Sequence, residues 1–249
     1  MMFPVYDARV TIPGAPIIQS APAFPYVSTP ESGASHWLFG VDSTSLIPFG
    51  GSGVITPQST THVYGTNFVT AQAYNEALIT NVPDLATQTF CRVVRYQPTA
   101  LKNTLLLGNI SAASSGFAIW LLADGKIQTL LRGNTPALID HGVPTGVTAG
   151  DWIFVAYTER VVGGITQFST YVGNAITYSG AFTAARPISN PIRNDAIGNA
   201  YQSASNYTPA PVSVAELIAF PGVYKTAQEI AAIYSRSKRR MTLRGIMLK

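Results

Sequence analysis

Charge is scarce in this chain. Of its 249 residues, 11% are Asp, Glu, Lys or Arg, less than half of the ~25% usual in globular domains. That excludes charged helical bundles and coiled coils. It does not make the chain disordered, because low charge accompanies disorder only when apolar content is low as well, and here 47% of the residues are hydrophobic. Cysteine is nearly absent. Cys91 alone cannot form an internal disulfide or build a metal site. In QTFCRVVRY it reads as a small buried hydrophobe. The three histidines, His36, His62 and His141, are scattered, so local spacing offers neither a zinc site nor a catalytic triad. No run approaches the ~18 consecutive apolar residues of a membrane span. MMFPVYDARVTIPGAP has no basic n-region and no apolar h-region, so no signal peptide is expected.

The charges that exist are unevenly placed. Residues 236–249 hold six of the sixteen basic groups and no acidic one, which leaves the rest near neutral. Such a tail marks nucleic-acid contact in some proteins. Without a basic stripe interleaved with aromatics, the expected roles are a helix C-terminus, where cations suit the macrodipole, or an acidic protein neighbour. Residues 1–35 hold six of the seventeen prolines. Proline fixes φ and removes ladder donors, so the segment reads as an extended arm. Three parts follow: an arm over 1–35, a β-rich domain over 36–236 and a basic tail over 237–249.

The middle part is a series of short strands. TQTFCRVVRY alternates, with Phe90, Arg92, Val94 and Tyr96 on one side. FAIWLLA and KIQTLLRG flank Asp124-Gly125, a strong hairpin signal because both central residues of a type I′ turn need φ > 0. DWIFVAYTERV and ITQFSTYVGN flank Gly163-Gly164 in the same way. Strands separated by turns, with no helical period between them, predict an antiparallel β-sandwich or barrel. One helix is predicted, over 227–238. Thr226 to Glu229 forms a capping box, and Ile230, Ile233 and Tyr234 make one apolar stripe.

The order of these pieces resembles a concanavalin A-like lectin/glucanase sandwich, close to laminin-G-like domains. GDWIFVAYTERVVGGITQFSTYVGN, DAIGNAY and VSVAELIAFPGVYKTAQEIAAIY carry the resemblance. It implies an all-β, jelly-roll sandwich with one short C-terminal helix. ALITNVPDLATQTFCRVVR is similar to sandwich modules of bacteriophage and prophage virion proteins. That similarity implies a virion structural protein of a tail, baseplate or fibre, with virion neighbours as partners. Self-association is expected through the arm and the tail, with a host-surface glycan as ligand. The alternative is a capsid decoration protein without a ligand.

An enzyme is not expected. Glycosidases on this fold need two carboxylates ~5 Å apart, and no glutamate has another carboxylate two or four residues away. Glu216, among apolar strand neighbours, reads as structural. No cofactor is expected. Calcium wants six to eight oxygens, and Asp42 and Asp195 are isolated in sequence. The candidate binding loop is 199–207, with Asn199, Tyr201, Asn206 and Tyr207 as its ligands. Sugars stack on aromatic faces and bond to amides.

Overall fold

The computed structural model describes residues 29–72, 74–100, 102–110, 115–133, 136–188, 191–201 and 210–249. The strands are β1 (Ser35–Leu38), β2 (Ile55–Pro57), β3 (Val63–Gly65), β4 (Phe68–Ala71), β5 (Leu78–Pro83), β6 (Gln88–Arg95), β7 (Thr104–Gly108) and β8 (Phe117–Leu121). They continue as β9 (Ile127–Leu131), β10 (Leu138–Asp140), β11 (Trp152–Val162), β12 (Ile165–Val172), β13 (Ala175–Ala181), β14 (Asn194–Ile197) and β15 (Val212–Pro221). The helix α1 (Ala227–Leu243) follows.

One layer is an eight-stranded antiparallel sheet in the order β13-β12-β11-β6-β15-β4-β3, with β1 also paired to β15. The other layer consists of two shorter sheets, β10-β9-β8-β7 and β14-β5-β2, adjoining at β7 and β14. Between the layers lies the main core, which includes Trp37, Phe90, Phe117, Tyr157 and Leu217. Phe117 of β8 stacks on Tyr157 of β11 at 4.2 Å between ring centroids, joining the two layers. Full burial of one such ring contributes roughly 1.5–3 kcal/mol.

The alternation in β6 sorts its side chains as the sequence predicts. Phe90, Val94 and Tyr96 enter the core between the layers. Cys91 and Val93 lie on the other face of the large sheet, with Phe154, Ile218 and helix residues Ile230, Ile233 and Met241. Burial pushes the Cys91 thiol well above its usual range, so the group behaves as a small hydrophobe. Arg92 is also buried, where it pairs with Asp195 at 2.5 Å and donates to the Leu106 carbonyl at 3.0 Å. Gly163 and Gly164 have φ of 60° and 78°, the conformation a two-residue hairpin demands.

The helix extends past the predicted 238 to Leu243. Its buried stripe continues through Ser237, Arg240 and Met241, so an arginine occupies what a hydropathy pattern reads as the polar side. The boundary expected at 236 therefore falls inside the helix. Residues beyond it belong to the same packing: Ile246 and Leu248 are buried on the sheet, and the Lys249 amide donates to the Trp152 carbonyl at 3.0 Å.

Candidate binding cleft

Only part of the predicted binding loop is among the described residues; Asn206 and Tyr207 lie outside them. Asn199 is buried, and its carbonyl accepts from the Asn75 amide. Tyr201 is half-buried against the cluster of Ala77, Ala196 and Ala200. Its hydroxyl donates to the Asn194 carbonyl at 3.0 Å, and the Arg193 guanidinium lies 5.8 Å from its ring centre. The Tyr201 side chain serves the packing of its own segment.

The carboxylates weighed for calcium lie in different surroundings. Both oxygens of Asp195 face Arg92. Asp42 is exposed and caps the 3-10 turn Ser43–Leu46, accepting from the Thr44 amide and hydroxyl.

Two buried clusters escape sequence spacing because their members are distant in the chain. In the first, Arg186 bridges Asp84 at 2.5 Å and Glu159 at 2.6 Å, while Tyr157 and Gln88 also donate to Glu159. This is the pair of nearby carboxylates that chain spacing could not show. Both are buried and fully occupied by donors, so the cluster braces β5, β6 and β11. In the second, Arg240 joins Glu216 at 2.5 Å and Glu31 at 2.9 Å. His36 lies 2.9 Å from Glu216, and Arg236 holds Glu31 at 2.7 Å. Arg244 donates to the carbonyls of Ala215 and Phe39. Arg236, Arg240 and Arg244, assigned to a basic tail, thus bind their own sandwich.

An open cleft of about 510 Å³ lies elsewhere, where the two layers meet at an edge. β2 is the outer strand of its small sheet and β3 the outer strand of the large one. Segment 58–62 crosses between them, and the 3-10 turn forms the opposite wall. Local chemistry fixes each part. Pro57 has no amide to donate and closes β2. The indole of Trp37, wholly buried, donates to the Leu46 carbonyl at 3.1 Å and pins the turn. A Cβ on Gly53 would meet the Trp37 ring at 2.1 Å, so only glycine fits there.

Tyr64, Gln58, Thr60, Ser43 and Leu46 line this cleft. Gln58 Oε1 accepts from the Ala77 amide at 3.1 Å, which orients the side chain. Burial, with the Asp42 charge adding to it, raises the Tyr64 phenol above its usual range, so it stays a neutral donor and acceptor. His62 also lines the cleft. Burial lowers its imidazole below the usual range, against the pull of the Ala77 and Ser59 carbonyls and the Glu76 charge. Among the described residues, no lining side chain is charged at neutral pH. The cavity near Pro30–Ser35 and Pro221, of about 490 Å³, has no aromatic side chain among its described lining residues. The signal for the cleft was present in PQSTTHVYG, a polar run ending in Tyr, but it resembles any loop between short strands.

No protein-family model and no curated protein matches the chain. Among solved structures, Trypanosoma rangeli sialidase in complex with sialic acid aligns with a TM-score of 0.58 at 13% identity, over 83% of this chain and 33% of that one. A mutant of that sialidase displaying trans-sialidase activity aligns with a TM-score of 0.57 at 14% identity. The Ruminococcus gnavus IT-sialidase CBM40 bound to alpha2,3 sialyllactose aligns at 0.45 and 14% identity, over 59% of this chain and 82% of that one. The fold is an antiparallel, all-β sandwich. The chain spans a third of the sialidases it matches, and at these identities the likeness extends to fold alone.

Proposed function

We propose that this chain is a non-catalytic, lectin-like module of a bacteriophage virion that binds an uncharged sugar in the cleft at Tyr64. The observation that carries the glycan reading is the lining: the Tyr64 side chain, half-buried beside the Gln58 amide and the hydroxyls of Ser43, Ser59 and Thr60, with no charged side chain among the described residues. A sugar needs an apolar face to stack on and paired hydrogen-bond groups, and it needs no countercharge. An acidic sugar would give up hydration of its carboxylate and find no cation in return. Asp42 and Glu76, the charges felt by Tyr64 and His62, are both acidic. The virion setting is supported by the similarity of ALITNVPDLATQTFCRVVR to phage sandwich modules.

A glycan array followed by calorimetry with Tyr64→Ala and Thr60→Ala tests the cleft. Neutral oligosaccharides should bind, sialylated ones should not, and Tyr64→Ala should weaken binding about tenfold, since an aromatic contact contributes roughly 0.5–1.5 kcal/mol beyond burial. Binding untouched by Tyr64→Ala refutes the site. An intact particle whose image places this chain on the capsid exterior, with no glycan bound by the purified protein, favours the decoration role.

A further inference from the structure

Interface hot spots are rich in Trp, Tyr and Arg, because a rigid ring supplies contact area and a guanidinium supplies several donors. On the outer face of the large sheet, a crevice of about 190 Å³ gathers that chemistry, lined by Phe68 and Trp152, Arg95 and Arg244, and Thr66 and Asn67. Its walls are fixed. The Phe68 and Trp152 rings lie 5.6 Å apart between centroids, tilted by 51°, and both pack against the cluster beneath α1. The Asn67 side-chain amide donates to the Arg244 carbonyl at 2.5 Å, tying the β3–β4 turn to the chain just past the helix. Arg95 donates to the Gly150 carbonyl at 3.3 Å. Arg244 donates to the carbonyls of Ala215, at 3.0 Å, and Phe39. Carbonyls orient a guanidinium without neutralising it, and neither arginine forms an ion pair among the described residues. Burial lowers Arg244 below its usual range. Glu216, the charge that opposes this, is already held by His36 and Arg240.

We propose that this crevice docks an acidic segment of a protein neighbour, seating one Asp or Glu side chain against the Trp152 ring with its carboxylate on Arg95 and Arg244. Volume and charge make the choice. The crevice, about 190 Å³, is smaller than the roughly 300–1,000 Å³ of small-molecule sites, and it suits a single anchoring side chain. Two guanidiniums favour a carboxylate, whose oxygens can accept from both. They outweigh the roughly −0.5 charge at the C-terminal end of α1, which adjoins the crevice. The neighbouring carboxylate, Asp151, is taken up by the Thr148 amide and hydroxyl. The cleft at Tyr64 is separate, since that side chain packs against the core between the layers, on the other face of the sheet.

Trp37 and Trp120 are buried and Trp152 is half-exposed, so the Trp152 indole N–H, followed by heteronuclear NMR and assigned with Trp152→Phe, reports occupancy. The probe is an end-capped Gly-Glu-Glu-Leu-Glu-Gly peptide, and its control carries Gln for every Glu. The Glu peptide should move the Trp152 signal, less so in high salt, and the Gln peptide should leave it still. Arg95→Gln, at an exposed position, should weaken binding about tenfold, the scale of one charge-assisted hydrogen bond. Thr66→Glu, on the exposed rim, should abolish binding by like charge and decides the matter if Arg95→Gln misfolds. Arg160→Gln and Tyr64→Ala should bind as the wild type does. A Trp152 signal unmoved by the Glu peptide at its solubility limit overturns the proposal. So does equal binding of the Gln peptide, binding indifferent to Arg95→Gln and Thr66→Glu, or a preference for sialyllactose over the peptide, which would make the crevice a sugar site.

Discussion

Arg240 and Arg236 sit one helical turn apart and touch the same carboxylate, yet they differ in environment. The Arg240 side chain is 4% exposed and spans Glu216 and Glu31, while that of Arg236 is 51% exposed and touches Glu31 alone. Removing one partner of a buried ion pair leaves an uncompensated charge, which costs about 3–5 kcal/mol, whereas an exposed pair contributes ~0–1 kcal/mol. Arg240→Ala should therefore lower unfolding stability by several times as much as Arg236→Ala in matched urea titrations. Equal losses would mean that the clasp relaxes to admit water. Sequence shows one side of this cluster: Glu216 stands among apolar strand neighbours, which marks it as buried. Its partners His36 and Arg240 are 180 and 24 residues away, and no local pattern names them.

At the level of elements, the helix start was legible and its end was not. The capping box forms as the sequence predicts. Thr226 Oγ1 accepts from the Glu229 amide at 3.4 Å, and Glu229 Oε2 accepts from the Thr226 amide at 2.8 Å. Thr226→Ala should cost about 1 kcal/mol, read as a lowered urea midpoint at unchanged slope. No change would mean that Glu229 and Lys225 hold the first turn without the hydroxyl. A cap is a local motif and can be read in four residues. The last turn is held by long-range partners, Glu31 and Glu216 for Arg240 and the sheet for Met241, so a periodicity of hydrophobic residues stops too early. The cleft was illegible for a related reason. Its walls come from a 3-10 turn, a strand end and a crossing loop, which only the meeting of two sheet edges brings together.

For the whole molecule, acid should not loosen every region alike, because its buried carboxylates are shifted in opposite directions. Burial pushes Glu216 and Glu31 up. The donors on them outweigh that: His36 and Arg240 for Glu216, Arg236 and Arg240 for Glu31, so both end below the usual range. A depressed folded value means stability that is present above the unfolded value, ~4.3 for Glu, and is lost as pH falls through the folded value. Asp195, between the layers, is raised by burial despite the Arg92 charge. A raised value acts with the opposite sign: it weakens the fold as pH rises through the window above the unfolded ~3.9, and protonation relieves it. Acidification below about pH 4 should thus release the clasp that ties α1 and β1 to the outer face, while the packing between the layers persists. Hydrogen exchange read across that range should show α1 amides losing protection before those of β6 and β11. Glu31→Gln should be less stable than the wild type at neutral pH and nearly equal to it in acid, since the substitution removes a charge that acid neutralises in any case. Simultaneous loss of protection in α1 and β6, or a Glu31→Gln deficit that does not shrink in acid, would show that the clasp carboxylates do not set the acid response.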